Sequence, residues 1–255
     1  MKKILIVTGT ILGVLASAVL IIFIFFPGLP TYFKVKHEYE YINETIPAFI
    51  STDISSGFES HALRGLRFKV PDDWEAHSSV EGLEPSSYRS KDGAVIFVKH
   101  GDYIDDEKTL KESLETLGDE YDPWSGFEYK EEDYRHMFAS IGTELPQYSL
   151  STRIVWYIRD GFTAKDCIRL RGMDRKVFLE LAQSKDESVG MENMWKIKGE
   201  GFSGYVGNIT GLGYNGDLWT VNVFPDGKEN DYFFTTIKCS DEAMEKQIIS
   251  SIELE

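Results

Sequence analysis

One glycine-rich stretch has a spacing that could bind a phosphate group. Gly199-Glu-Gly201-Phe-Ser-Gly204 fits the letters G-x-G-x-x-G, in which backbone amides at the start of a helix contact a pyrophosphate. The residues that follow, YVGNITGLGYNG, are typical of strand and turn, so the required helix is missing. The stretch is also one residue short of the G-x-S-x-G nucleophile motif. We therefore predict a glycine-rich strand or bulge, with neither a cofactor nor a catalytic Ser203.

Side chains that could bind a metal are densest at His100, Asp102, Asp105 and Asp106. Carboxylates in a loop can hold Ca²⁺ through their oxygens. The glycine and the final glutamate of an EF-hand loop are missing, however, and Asp105 or Asp106 suits the N-cap of a following helix. The five histidines also lack the i, i+4 spacing of a helical zinc site. We therefore expect no metal site, and the 42 acidic residues allow no choice of a catalytic carboxylate pair.

Four aromatic residues share one acidic stretch: Tyr121, Trp124, Phe127 and Tyr129. In a loop, their ring faces could contact a sugar or a peptide. Aromatic side chains of this kind also fold back onto the core beneath a loop. The sequence leaves both interpretations open, and ligand contact by these four residues is a prediction.

The element that must position the rest of the chain is the apolar run Ile4–Phe26, 23 residues without a charge. As a helix it would be roughly 35 Å long, enough for a hydrocarbon core of about 30 Å. A cleaved signal peptide is the alternative, because Ala16-Ser17-Ala18 resembles a cleavage site. Cleavage there would leave VLIIFIFF as an apolar N-terminus. We therefore predict an uncleaved transmembrane signal-anchor at residues 4–26.

Within this run, Gly9, Gly13 and Ser17 recur every fourth residue and share one helix face. Small residues let two helices approach closely in lipid, so the face could pair two copies of the chain as a homodimer. Glycine is also common in membrane spans for other reasons. Both interpretations stay open.

Lysines flank the run on both sides, at Lys2 and Lys3 before it and at Lys34 and Lys36 after it. The positive-inside bias is therefore slight. A short cytoplasmic tail at residues 1–3, with no domain to translocate, still favours the N-inside orientation. We expect a single-pass protein of the cell membrane whose C-terminal domain lies outside the cytoplasm.

The chain has 255 residues and a formal charge of −15. A protein this acidic repels phosphate backbones, so nucleic acid is excluded as an expected partner. Its 42% hydrophobic content is enough to bury a core. Cys167 and Cys239 allow one disulfide outside the cytoplasm but make no zinc site by themselves. Whether they pair is left open.

Beyond the anchor, residues 27–65 predict a juxtamembrane linker and residues 66–255 one folded domain. Asp174 and Ser240 are placed to cap two of its helices. Strands followed by helices, further strands and a last helix predict an α+β domain, in which helices flank an antiparallel sheet. Periodicity places the strands at 66–70, 94–99, 195–198, 202–209, 218–224 and 232–239, and the helices at 110–117, 134–141, 150–158, 177–182 and 244–252. The segment 150–158 also suits a strand, because it contains β-branched residues and Trp156.

Both ends of this domain resemble the PsbP/Mog1-like family. The opening LRFKVPDDWE at 66–75, then YRSKDGAVIFV at 88–98, is similar to the first two strands of that family, with its Val-Pro, its Trp and its Asp-Gly turn. The ending YFFTTIKCSDEAMEKQIISSIEL at 232–254 resembles its last strand and C-terminal helix. The resemblance implies a sheet sandwiched by helices in a membrane-attached envelope protein, with no catalytic residues to transfer. Residues 105–187 would be a helical insertion.

No convergent catalytic set emerges from the sequence. The leading hypothesis is a non-enzymatic module, anchored in the membrane, that binds a protein or glycan partner outside it. The alternative is a membrane-anchored hydrolase whose carboxylates the sequence does not identify.

Overall fold

The computed structural model describes residues 2–78, 85–100, 128–143, 145, 156, 158–189, 193–209, 218–228 and 231–255. The chain divides into two compact units. Unit 1 consists of Met1–Glu44, Pro123–Leu145 and Ile154–Ser188, and unit 2 consists of Thr45–Asp122, Pro146–Arg153 and Val189–Glu255.

Unit 1 is built from helices in its described part. They are α1 (Lys2–Phe25), α2 (Leu29–Glu38), α3 (Glu131–Ser140), a 3-10 helix (Ala164–Arg169) and α4 (Gly172–Val189). Pro30 stands in the first turn of α2, where its missing N–H breaks no helical hydrogen bond. Helix α2 packs on the 3-10 helix and buries Val35. Part of the segment predicted as a linker is thus helical.

The apolar faces predicted around 134–141 and 177–182 are confirmed as buried faces of α3 and α4. Phe138 of α3 and Phe178 of α4 both pack on Phe162, with ring centroids 6.0 and 5.1 Å apart. These rings belong to one core cluster. Its fully buried members in α3 and α4 are Tyr134, Met137, Phe138, Val177, Phe178, Leu181 and Ala182.

Two polar side chains enter this core and each has partners there. The Tyr134 hydroxyl donates to Glu180 Oε2 at 2.7 Å and accepts from the Tyr129 amide at 3.0 Å. Burial, followed by the Glu180 carboxylate, raises the pKa of Tyr134. The Lys185 ammonium donates to the Phe162 carbonyl at 2.7 Å. Buried polar groups without such bonds would destabilise the unit.

Unit 2 contains two antiparallel sheets and the C-terminal helix α5 (Glu242–Ser250). The small sheet has the order β1-β2-β10, and the large sheet has the order β3-β4-β5-β9-β8-β7-β6. The strands are β1 (Phe58–Leu63), β2 (Leu66–Pro71), β3 (Glu75–His77), β4 (Ser87–Arg89), β5 (Val95–His100), β6 (Asn193–Gly199), β7 (Phe202–Ile209), β8 (Leu218–Pro225), β9 (Phe233–Lys238) and β10 (Glu253–Leu254).

Alternation along the strands produces the core of unit 2. In β2, Leu66, Phe68 and Val70 are buried, and the residues between them are exposed. This face packs in one cluster with Trp219 of β8 and Ile248 of α5. The fold class predicted from the sequence, α+β with antiparallel sheets and helices, is confirmed.

Two predicted caps are wrong. Helix α5 is capped by Asp241, whose carboxylate accepts from the amides of Ala243 and Met244, and not by Ser240. The Asp carboxylate reaches these amides from the residue directly before the helix. Asp174 lies inside the first turn of α4, because that helix already begins at Gly172. The predicted helix at 110–117 lies outside the described residues, as does most of 150–158.

Both cysteines are buried free thiols. The Cys167 thiol donates to the Ala164 carbonyl at 3.1 Å, and the Cys239 thiol donates to the Asp241 carbonyl at 3.2 Å. Burial raises the pKa of each thiol from 9.0 to about 12. Since both thiols are free, Cys167 and Cys239 are not joined by a disulfide.

We predict that neither thiol of the folded protein reacts with iodoacetamide at pH 8. With a pKa of about 12, roughly one thiol in ten thousand is ionised at that pH, and the thiolate is the nucleophile. Mass spectrometry of the full chain in detergent measures the labelling. The same pKa shift makes the free energy of unfolding depend on pH. It should be highest below pH 9 and fall between pH 9 and 12, because in that range the thiols ionise in the unfolded chain but not in the folded one.

The denatured chain is the control and should take up two labels. Rapid labelling of the native chain at either cysteine would contradict the assignment.

Candidate functional site

A groove of about 510 Å³ lies in unit 2. It runs along the hairpin of β6 and β7, between residues 48–51 and the end of α5. Its lining consists of Ala48, Phe49, Ser51, Lys196, Ile197, Lys198, Phe202, Ser203, Gly204, Tyr205, Ile249, Ser250 and Ile252.

The glycines of the G-x-G-x-x-G stretch shape one side of this groove. A Cβ on Gly199 would lie 2.1 Å from the Phe202 ring, and a Cβ on Gly204 would lie 2.2 Å from the Asn222 carbonyl oxygen. Gly201 has a φ of +74° at the hairpin turn, a conformation that favours glycine. The predicted strand is confirmed as β7, and no helix N-terminus follows the glycines. Close packing and a tight turn account for their spacing.

An aromatic stack supports the groove wall. Trp195 and Trp219 stack with centroids 5.2 Å apart, and Phe49 packs edge-on against both, at 6.2 and 6.4 Å. Phe49 is held there by the backbone: its amide donates to the Lys196 carbonyl at 2.7 Å, and the Lys196 amide donates to the Pro47 carbonyl at 2.7 Å. Residues 47–49 therefore pair with the outer edge of β6.

Helix α5 forms the opposite side of the groove and ties down the chain beyond Phe49. The Thr52 amide donates to Ser250 Oγ at 3.1 Å, and the Ser55 amide donates to Gln247 Oε1 at 2.8 Å. These bonds hold the segment after Ser51 along the helix.

The edge of β6 is paired at Lys196 but open one step further along. In an edge strand, alternate residues direct their N–H and C=O groups outward. Lys198 shares the outward direction of Lys196, and no described residue forms a backbone hydrogen bond with it. Beside the apolar groove there is thus an exposed backbone donor and acceptor, suited to an extended peptide.

Few of the described residues that line the groove have titratable side chains. Its titratable lining residues within the described chain are Lys196, Lys198 and Tyr205, with no carboxylate, histidine or cysteine among them. General acid–base catalysis needs a proton donor or acceptor tuned near neutral pH.

A second cavity, of about 220 Å³, lies beside Trp74 and is lined by the carboxylates of Asp73, Asp92 and Asp241. Asp241 is already used as the cap of α5. The Ser90 hydroxyl donates to Asp92 and lowers its pKa, which disfavours the protonated form that a general acid requires. Across the described ranges, no set of three His, Cys, Asp or Glu side chains is arranged to hold a metal.

His136, Ser140 and Asp174 have the residue types of a catalytic triad but a different geometry. Ser140 Oγ donates to Asp174 Oδ2 at 2.8 Å, and His136 Nδ1 lies 2.6 Å from Asp174 Oδ1. In a triad the histidine stands between the serine and the carboxylate and takes the serine proton. Here the carboxylate stands between them, so the contact joins α3 to the first turn of α4.

The aromatic residues predicted to contact a ligand are described at one position. Tyr129 is half-buried and packs on Tyr134 of the unit 1 core, with centroids 6.4 Å apart. It folds back onto the core, the alternative that the sequence left open. Tyr121, Trp124 and Phe127 lie outside the described residues. His100 is described, at the end of β5, whereas Asp102, Asp105 and Asp106 are not.

A sharp corner joins α1 to the rest of unit 1. The axes of α1, taken from Gly13 to Phe25, and of α2 differ in direction by 75°. Gly28 lies in the corner, where its amide donates to the Ile168 carbonyl at 2.9 Å. A Cβ at this position would lie 1.7 Å from the Cys167 carbonyl oxygen. Arg171 and Arg175 donate to the carbonyls of Ile24 and Pro27, at 2.7 and 3.2 Å.

The side chains of α1 are described from Gly13 onward, and among the residues described in this way no single helix has the length and apolar character needed to cross a bilayer. Taken together, the two helices Gly13–Phe25 and Leu29–Glu38, with the bend between them, have a length and an apolar composition that would suit a membrane span. Gly13 is surrounded by open space, and the Ser17 hydroxyl donates to the Gly13 carbonyl at 2.9 Å. Gly13 and Ser17 thus lie on one helix face, as their spacing predicts.

Comparison with known proteins adds no family to this description. No protein-family model matches the chain, and no curated protein matches it.

We predict that Gly28→Ala destabilises unit 1 by about 1–3 kcal/mol, the usual cost of overpacking. The φ of Gly28, −85°, suits alanine, so lack of space beside the Cys167 carbonyl is the cause. Chemical unfolding of the full chain in detergent measures the loss. Gly13→Ala is the matched control and should not destabilise the chain, because nothing lies within 4 Å of its new methyl group. Equal stability of both variants would show that the corner is not tightly packed.

Proposed function

We propose that the chain is a single-pass membrane protein whose folded part lies outside the cytoplasm and binds a partner without catalysis. The groove between β6–β7 and α5 is the observation that carries the binding function. It has a size typical of ligand sites, roughly 300–1,000 Å³, and an apolar lining. The described residues around it lack an acid–base set, which favours binding over hydrolysis.

The proposed partner is a protein that contributes an extended segment to the groove. The open backbone at Lys198 would pair with that segment, and an apolar side chain would enter the groove between Phe49 and Ile249. This mode combines main-chain hydrogen bonds for affinity with a side-chain pocket for specificity. A glycan is the other partner class that the composition allows.

The apolar helix α1 supports the anchoring part of the proposal. Its described apolar side chains from Val14 to Phe25 are largely exposed, as is Phe26 beyond it. Water would disfavour such a surface, whereas a hydrocarbon core would stabilise it. The lysines on both flanks suit headgroup regions. Pairing of two spans through Gly9, Gly13 and Ser17 belongs to this proposal.

Membership of the PsbP/Mog1-like family is a further part of the proposal. Strands β2 and β5, the hairpin of β8 and β9, and the closing helix α5 support the resemblance noted in the sequence. An antiparallel sheet that packs on a C-terminal helix is the architecture that this family implies.

We expect the full chain to remain with membranes after extraction with alkaline carbonate. The double variant Leu15→Lys, Val19→Lys should move to the soluble fraction, since each charge at the centre of a span costs about 2.5–3.5 kcal/mol. Immunoblotting of the two fractions measures the distribution. Ile50→Lys, at a residue 80% exposed in unit 2, is the control and should remain in the membrane fraction.

The same control position reports orientation. Ile50→Cys should react in intact cells with a maleimide that does not cross membranes. Release of the unmodified chain by carbonate would refute the anchor, and protection of Ile50→Cys would refute the orientation.

We expect a photo-crosslinking amino acid at Ser51 to give one discrete cross-linked product in native membranes. Ser51 is exposed and lines the groove. The same amino acid at Ser56, an exposed serine of the same segment outside the groove lining, should give no such product. Gel electrophoresis and mass spectrometry identify the product.

A blocking variant makes this result specific. Ser203→Trp would place an indole at the exposed rim of the groove and should abolish the Ser51 cross-link. Equal cross-linking from Ser51 and Ser56, or none from Ser51, would argue against the groove as the binding site.

A further inference from the structure

We propose that unit 1 rests on the membrane surface through a patch formed by Phe33, Arg171 and Met173. The partner of this patch is the headgroup region of a bilayer that contains anionic lipid. The inference depends on the proposed anchoring by α1 and adds a second contact between the protein and the membrane.

Arg171 fixes the height of the patch along α1. Its guanidinium donates to the Ile24 carbonyl at 2.7 Å, in the last turn of α1. Met173 follows two residues later, in the first turn of α4. When α1 spans the bilayer, both side chains stand at the level where the hydrocarbon core gives way to the headgroups. Arginine suits that level because its planar guanidinium binds phosphate oxygens in pairs.

The 75° bend places α2 in the same layer. With α1 along the bilayer normal, α2 runs close to the membrane plane, the position of an interfacial helix. Val35 faces the core of unit 1, whereas the Phe33 ring is 61% exposed. Phe33 is therefore available to the interface beside the span.

Exposed apolar side chains are confined to this region in the described part of unit 1. Beyond the apolar run, the large hydrophobic residues exposed there are Phe33 and Met173, the latter 46% exposed. One follows the corner after α1, and the other neighbours the arginine bonded to that helix. Single exposed hydrophobic residues are ordinary. Two in the segments that adjoin the end of α1, one of them two residues from an arginine bonded to that helix, point to a lipid surface.

Charge supports the choice of anionic lipid. Arg171 is exposed. Lys36 of α2, which follows the corner in the sequence, is an additional cation. The carboxylate of Glu38 is matched by Lys34, at 3.7 Å. Cations beside a span are attracted to an anionic leaflet even though the whole chain carries −15.

Depth-dependent fluorescence quenching tests the proposal on the full chain. Phe33→Cys, Met173→Cys, Val19→Cys and Ile50→Cys are each labelled with a bimane, and the unmodified chain measures background from the buried native thiols. Each protein is inserted into vesicles of phosphatidylcholine and phosphatidylglycerol that contain either a lipid brominated near its headgroup or a lipid brominated deep in its acyl chains. We expect quenching at positions 33 and 173, and none at position 50.

The label at position 19 separates the two hypotheses. Quenching at position 19 by the acyl-chain bromines, together with labels at 33 and 173 that the headgroup bromines leave unquenched, would overturn the patch while leaving the anchor intact. An unquenched label at position 19 would overturn the anchor, and the patch with it.

Lipid charge provides the second readout. Replacing phosphatidylglycerol by phosphatidylcholine should reduce quenching at position 173, and Arg171→Gln should remove this dependence on lipid charge. Arg171→Lys keeps the positive charge and should restore it. If neither Arg171→Gln nor Arg171→Lys shows a dependence of quenching on lipid charge, Arg171 has a structural role through its bond to Ile24, and the proposed contact between Arg171 and phosphate is wrong.

Discussion

The arrangement of unit 1 depends on one close backbone approach, between Gly28 and the carbonyl of Cys167. The 3-10 helix meets the corner there, and its Ile168 carbonyl accepts the Gly28 amide. A side chain at position 28 would force the two segments apart, so the 75° bend and the packing of α2 both require glycine. The carbonyls that the corner leaves at the end of α1 are taken up by Arg171 and Arg175. Unpaired helix-terminal carbonyls are thereby satisfied by side chains from another segment.

The glycine-rich hairpin of unit 2 shows how one sequence pattern can serve a different physical purpose. In a dinucleotide site the glycines let a phosphate approach the backbone. Here Gly199 makes room for the ring of Phe202, and Gly204 makes room for the backbone of a neighbouring strand. The space that the missing side chains leave is used by the protein itself, and the remaining gap towards α5 is the groove. The glycine spacing therefore predicts that another group packs closely against the backbone. Whether that group is a phosphate or part of the protein depends on whether a helix or a strand follows the glycines.

Local periodicity made much of the fold predictable. The alternation at 66–70 and the helical spacing at 134–141 each reflect burial of one face of a single element, which is written in neighbouring residues. The groove could not be predicted in this way. Its wall depends on Phe49, which lies in a serine-rich segment, meeting Trp195 and Trp219 far along the chain. The division into two units was equally hidden, because each unit combines segments distant in sequence. The short, charged helix α2 buries too few residues to give a periodic signal.

The corner between α1 and α2 also fixes the direction of α2 relative to the axis of α1. Helix α2 has 10 residues, about 15 Å of length, set at 75° to α1. A turn of α1 about its own axis therefore sweeps the far end of α2 sideways through an arc, and the 3-10 helix packed on α2 must follow. Tilting α1 would instead lift or lower that end.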